Sequence, residues 1–182
     1  MINLLRKRRS IRRYTSARVE NSAVALLVEA ALRSPSSHGN NPWEFVVIDD
    51  PKALLKLSEA KEHGSSFLKK APLAIVVCAN ETKSDVWVED CSIASILVQM
   101  TASSLGLGSC WIQIRKRSHD RNSSSEEYIR NILGLPTNMR VFSIISVGHP
   151  DEHPKPLPVN RLEYAKVKYN SYDQPWRSEE QS

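Results

Sequence analysis

The sequence is poor in the features that staple, perforate or anchor a fold. Its 182 residues include only three cysteines, Cys78, Cys91 and Cys110, with no Cys-x-x-Cys pair among them. An odd, unpaired set excludes a disulfide framework and offers no zinc knuckle, and it suits a reducing, cytoplasmic setting. The five histidines include no His-Glu-x-x-His motif, and no metal site is expected. There is no Gly-x-Ser-x-Gly elbow for a serine nucleophile. With six glycines in all, backbone cradles for phosphate are scarce. Gly106-Leu107-Gly108 follows a helix pattern and precedes a strand pattern, the reverse of the dinucleotide-binding order. No apolar run approaches the roughly 18 residues that cross a bilayer, and the basic start, Met1 to Ser10, leads into no apolar signal segment. Neither a membrane nor a secretory route is expected.

What remains is a chain of ordinary globular composition, 41% hydrophobic and 25% charged, with a net charge of +5. That length favours one domain with a core of its own. The charge is uneven. Arg6, Lys7, Arg8, Arg9, Arg12 and Arg13 put six cations within eight positions, and such a cluster calls for an anion. Guanidinium groups bind phosphate through paired hydrogen bonds, and Ser10 adds a neutral donor. On these residues alone, a cofactor phosphate competes with a solvated or nucleic-acid-binding arm, and the arm ranks first. A second cluster, Pro35-Ser36-Ser37-His38-Gly39-Asn40-Asn41-Pro42-Trp43, is dense in amides, hydroxyls and turn formers. It suits the polar edge of a heterocycle as well as a plain helix-to-strand turn.

Periodicity predicts a helix over Asn21 to Arg33, a strand over Trp43 to Ile48, a helix from Pro51 to Ala60 and a helical turn over Ser66 to Lys70. Leu73 to Ala79 reads as a strand buried on both faces. Ser84 to Leu105 is the longest helix, with Ile93, Ile96, Leu97, Met100 and Leu105 on an apolar face and Ala94, Ser95, Ala102 and Ser103 keeping other faces slim. A strand over Ser109 to Ile114, a polar loop over Arg115 to Ser125, a helix to Leu133 stopped by Gly134 and a strand over Arg140 to Gly148 follow. The alternation fits an α+β or α/β sheet and by itself suggests βαβ crossovers. After Gly148 the chain becomes proline-rich and extended, yet it carries Tyr164, Tyr169, Tyr172 and Trp176. The expected division is a domain over 1–150 and an extension over 151–182 that packs on the domain or on a partner subunit.

Taken together, the two polar clusters resemble the opening of the nitroreductase family: Arg-Arg-Ser-Ile-Arg-x-Tyr, a helix, then Ser-Pro-Ser-Ser-x-x-x-Asn-Pro-Trp. Lys69-Lys70-Ala71-Pro72, Trp87-Val88-Glu89-Asp90-Cys91, Leu105-Gly106-Leu107-Gly108-Ser109-Cys110-Trp111-Ile112, Leu133-Gly134-Leu135-Pro136 and Val147-Gly148-His149-Pro150 continue the likeness in order. It spans roughly Arg8 to Asn170, and its specificity lies in the series, since no single motif is diagnostic.

The resemblance implies an α+β fold, a central, mostly antiparallel sheet flanked by helices, in an intertwined homodimer with FMN at the interface and NAD(P)H as reductant. It implies that Arg8, Arg9, Ser10 and Arg12 bind the FMN phosphate, ribityl chain and pyrimidine edge. Pro35, Ser36, Ser37 and Asn41 then come from the other subunit. Gln113, with the backbone of Trp111, Ile112 and Ile114, faces the ring, and Lys155 or Arg161 closes the phosphate end. Arg12 is also singled out by chemistry, because a fixed cation near the pyrimidine edge eases flavin reduction. The implied activity is ping-pong hydride transfer to a nitroaromatic, quinone or related small-molecule acceptor, the flavin carrying the chemistry without a catalytic side chain. A specialised flavin branch (dehalogenation, azoline oxidation or flavin breakdown) and a nucleic-acid-binding module are the alternatives, and no helix-turn-helix, zinc finger or RNA-recognition signature supports the latter. Two departures stand out: Gly39 where many relatives have asparagine, and Trp111 where some have proline.

Overall fold

Two strands carry the core because their sequences leave no polar face. Leu73–Asn80 (β2) is buried along all but its last residue, and Met139–Gly148 (β4) all but its second. They pair antiparallel at the centre of a four-stranded sheet of order β1-β2-β4-β3, with Trp43–Ile48 (β1) and Gly108–Gln113 (β3) at its edges. A computed structural model of the chain describes residues 1–176. The last six positions of the expected extension, 177–182, lie outside the described residues.

Alternate residues of β2 face opposite ways, as a period of two requires. Ala74, Val76 and Cys78 meet the helices Pro51–Ser58 (α3) and Ser125–Leu133 (α5) on one side. Leu73, Ile75, Val77 and Ala79 meet Asn21–Leu32 (α2) and Trp87–Ser104 (α4) on the other. The fold is α+β, with helices on both faces of an antiparallel sheet. The crossovers suggested by the alternating elements are present in one place only. β2, α4 and β3 form a crossover in which β4 is inserted between the two parallel-running strands, so every pair of neighbouring strands is antiparallel.

Local signals set the ends of the helices. Asp50 accepts from Ala53 N and Pro51 opens α3. Ser124 accepts from Glu127 N to open α5, and Gly134, at φ 64°, closes it with the left-handed turn that glycine makes without strain. A short helix, Ile2–Lys7 (α1), was not legible in the basic start.

The long helix turns its slim side inward. Cys91, Ala94, Ser95, Val98 and Ala102 are fully buried, and small side chains let the helix backbone lie close to the sheet. Ile93 and Ile96 are each 38% exposed. Of the larger apolar residues expected to form a packing face, Ile93, Ile96 and Leu105 thus stand partly outside the subunit, while Met100 is buried. Beyond β4 the chain runs in two short 3₁₀ turns and a two-stranded hairpin, Lys168–Tyr169 (β5) and Ser171–Pro175 (β6). Val159, Leu162, Val167, Tyr169 and Tyr172 are exposed along it, and Tyr164 stacks on Trp176 at 5.8 Å.

Candidate functional site

The basic segment after α1 is laid on the sheet by main-chain pairing. Ser10 bridges Ser109 of β3, and Ile11 N donates to Ser109 O at 2.9 Å. Further on, Tyr14 bridges Pro150, Thr15 N donates to His149 O at 3.0 Å, and Asp151 N to Arg13 O at 2.9 Å. Two facing glycines make room for this. Gly108 pairs with Gly148 across β3 and β4. A Cβ at Gly108 would lie 2.8 Å from Ile11, and one at Gly148 would lie 2.6 Å from Pro72 and 2.9 Å from Tyr14. The Tyr14 hydroxyl donates to Ile11 O and pairs with Ser146 Oγ at 2.7 Å. Burial pushes that phenol well above its ordinary value. Glu152 accepts from both Arg12 N and Arg13 N, which pins the arm to the start of the extension and holds the carboxyl below its ordinary value.

Arg8, Ser10 and Arg12 lie within electrostatic reach of Cys110 of β3. Burial pushes the Cys110 thiol up, while Arg12, the Ser10 hydroxyl, Arg8 and Lys61 each act in the opposite direction. Lys61 is held below its ordinary value first by burial and then by Arg117. Among the described residues, Arg8, Arg9, Arg12 and Lys61 make no ion pair. Glu152 borders the same cleft as Arg8 and Arg9, but it is spent on main-chain amides, so the guanidinium groups and the Ser10 hydroxyl suit a phosphate or an anionic heterocycle edge. Lys61 was not predicted from sequence. It stands in a stretch without periodicity, and only the fold brings it within electrostatic reach of Cys110.

The second cluster is held elsewhere. Ser36 Oγ donates to Asn41 Oδ1 at 2.7 Å and accepts from Asn41 N at 2.9 Å. Between them the backbone is left-handed at His38 (φ 51°) and Gly39 (φ 69°), and again at Asn41 (φ 44°). Ser37 N donates to Asp90 in the first turn of α4 at 2.9 Å. The arm lies at the helix's other end, where Arg8, Arg9 and Ile11 share a cleft of about 260 Å³ with Ser103, Gly106 and Gly108. At about 1.5 Å per residue, Asp90 and Ser103 are about 20 Å apart along the axis. Within one subunit the two predicted clusters therefore do not meet.

Of the other predicted positions, Ile112 is buried in the core between the sheet and α5. Trp111 packs edge-on against Phe142 at 5.3 Å. The Gln113 amide is engaged at both ends: Oε1 accepts from Trp111 Nε1 and Nε2 donates to Arg115 O, each at 3.0 Å. Lys155 and Arg161 are exposed on the extension. A cleft of about 390 Å³ bordered by Arg18, Asp49 and Lys69 contains none of the predicted residues.

A model of the nitroreductase family matches residues 5–63 and 54–149. The chain belongs to the nitroreductase family. A solved structure of an FMN-dependent nitroreductase from Clostridium difficile R20291 is 47% identical, with a TM-score of 0.93 over 94% of this chain and 100% of that one. A protein of Archaeoglobus fulgidus, provisionally named an NADH dehydrogenase/NAD(P)H nitroreductase, is 36% identical over 83% of this chain and 86% of its own length. The NADPH:FMN oxidoreductase of Vibrio harveyi, solved with NAD+, shares the fold at 22% identity, with a TM-score of 0.78 over 95% of this chain and 78% of that one. None of the described helices of this chain is long and apolar enough to cross a membrane.

Proposed function

We propose that this nitroreductase binds FMN between two copies of itself and passes electrons from NAD(P)H to an electron-poor small molecule, a nitroaromatic, quinone or related acceptor, in a ping-pong cycle. The observation that carries the reading is the separation of the cationic arm and the polar loop to opposite ends of α4. A two-fold partner brings one copy's arm to the other copy's loop, and isologous pairing makes two such sites at once. The partly exposed Ile93 and Ile96 lie between the two ends and supply an apolar face for that partner. Exposed apolar residues along 151–176 suit an extension that wraps the second copy.

In this reading Arg8, Arg9, Ser10 and Arg12 hold the phosphate, ribityl chain and pyrimidine edge. Lys155 and Arg161 stand on the extension as candidates to close the phosphate end. Pro35, Ser36, Ser37 and Asn41 of the partner subunit line the ring, beside the main chain of Trp111 to Gln113. The flavin supplies a ring that accepts a hydride and gives its electrons to a second substrate. Arg12 would stabilise negative charge at the pyrimidine edge. Gln113 orients Trp111 through its amide and carries no proton, so the side chains bind and tune rather than act as acid or base. The three buried free cysteines suit a reducing cytoplasm, and burial pushes Cys78 up to about 12.

The test is an absorption spectrum of the freshly purified protein, followed by release and identification of the chromophore. FMN at about one per chain supports the assignment. A colourless protein that binds no added FMN, yet binds DNA with a steep salt dependence, returns the arm to nucleic acid.

A further inference from the structure

We propose that Asp90 is the positioning residue that fixes the Ser36–Asn41 loop in its flavin-lining shape; the proposal rests on the flavin reading above. Asp90 is 2% exposed. One carboxylate oxygen accepts from Ser37 N at 2.9 Å and the other accepts from Ser84 Oγ at 2.9 Å. It thereby ties three segments together: the loop, the turn after β2 and the first turn of α4. Helix electrostatics alone do not account for it. Glu89, in the same turn, is solvent-facing and serves the positive end of the helix without any burial. Burying a second carboxylate is costly unless hydrogen bonds replace its water, and those Asp90 receives come from the loop and the turn.

The loop needs such an anchor. His38 and Asn41 hold left-handed backbone at φ 51° and 44°, a conformation that non-glycine residues keep only when their surroundings impose it. Inside the loop, the Ser36–Asn41 pair closes the turn but ties it to nothing else. Ser37 N–H is the loop's side of the link to α4. Without Asp90 the loop samples other shapes, and FMN affinity falls by the fraction of time the binding shape is lost. Because Asp90 belongs to α4, it also fixes the loop relative to the helix that presents Ile93 and Ile96, so loop and subunit contact keep one register.

The experiment compares Asp90→Ala and Asp90→Asn with the parent protein. FMN dissociation constants are read by flavin fluorescence, folding by circular dichroism, and loop order by amide hydrogen exchange without flavin. Asparagine retains an acceptor for Ser37 N–H, and its amide donates to Ser84. The expected result is a folded Asp90→Ala with FMN affinity ~10-fold or more weaker and faster exchange at Ser37 and Asn40, and an Asp90→Asn within ~3-fold of the parent. A folded Asp90→Ala with parental affinity and parental exchange overturns the proposal, as does an Asp90→Asn as impaired as alanine. Should Asp90→Ala not fold, Ser37→Pro removes the same hydrogen bond from the loop side, with Ser37→Ala as its control. Proline weaker than alanine by ~10-fold supports the role, and equal affinities contradict it. If the parent itself binds no FMN, the flavin reading fails, and exchange at Ser37 still judges whether Asp90 positions the loop.

Discussion

At one end of α4 a weave of main-chain pairs holds the cationic arm. At the other, a single buried carboxylate holds the polar loop. The arm is fastened by Ser10 to Ser109, Tyr14 to Pro150 and Glu152 to two consecutive amides, with Ile11 and Tyr14 seated where Gly108 and Gly148 lack a Cβ. The loop has left-handed residues, an internal Ser36–Asn41 pair and Asp90. Packing and backbone pairing distribute the arm's stability over many groups, so side chains on its exposed edge are free to serve a ligand. The loop concentrates its order in one interaction, which makes its geometry sensitive to one residue.

Breaking the arm's seat has the largest effect. Gly148→Ala sets a Cβ against Pro72 and Tyr14, and overpacking of this kind costs about 2–3 kcal/mol. Thermal denaturation is expected to show Tm lower by roughly 5–10 °C. An unchanged Tm together with unchanged flavin binding contradicts the seat described for Tyr14. Next comes a change that empties the arm without loosening it. Arg12→Ala keeps the amide that Glu152 accepts but removes the guanidinium, so FMN binding is expected to weaken about 10–100-fold with Tm within about 1 °C of the parent. Full flavin retention in that variant removes Arg12 from the site.

The smallest effect is in acid. Arg12 N, then Arg13 N, holds Glu152 below its ordinary value of 4.5. A carboxyl depressed in the folded state adds stability that is present above its unfolded value and is lost as pH falls through the folded value. The arm is expected to loosen below about pH 4.5, seen as faster exchange of the Arg12 and Arg13 amides, and Glu152→Gln is expected to abolish that pH dependence.

Much of the framework was legible. β-branched runs marked β2 and β4, Ser124 and Gly134 marked both ends of α5, and Trp43 to Ile48 was bounded by the residues that bound it in the structure. The arm and the loop were legible as clusters because each is continuous in sequence. What sequence periodicity does not encode is which side of a helix a sheet will accept. On α4 the larger residues marked an apolar face, yet close approach to β2 and β4 selects Ala94, Ser95 and Ala102, leaving Ile93 and Ile96 partly exposed. Asp90 was missed as a site residue because Ser37, its partner in the loop, lies 53 positions away in the chain. Asp90 stood in the sequence only as part of the Trp87-Val88-Glu89-Asp90-Cys91 stretch, and its burial is a tertiary fact. The engagement of the Gln113 amide by Trp111 likewise depends on alternate residues of β3 sharing a face.

The central claim is that each site takes its arm from one copy and its loop from the other. Mixed dimers test it most directly. A chain carrying Arg8→Ala and Arg12→Ala is co-expressed with one carrying Ser36→Ala and Asn41→Ala, and the mixed dimer is isolated through two different tags. A site shared between copies places both lesions in one site and leaves the other intact, so about one FMN per mixed dimer is expected although neither parent dimer retains it. If each site is built within one chain, both sites of the mixed dimer carry a lesion, and a mixed dimer as empty of FMN as its parents contradicts the account.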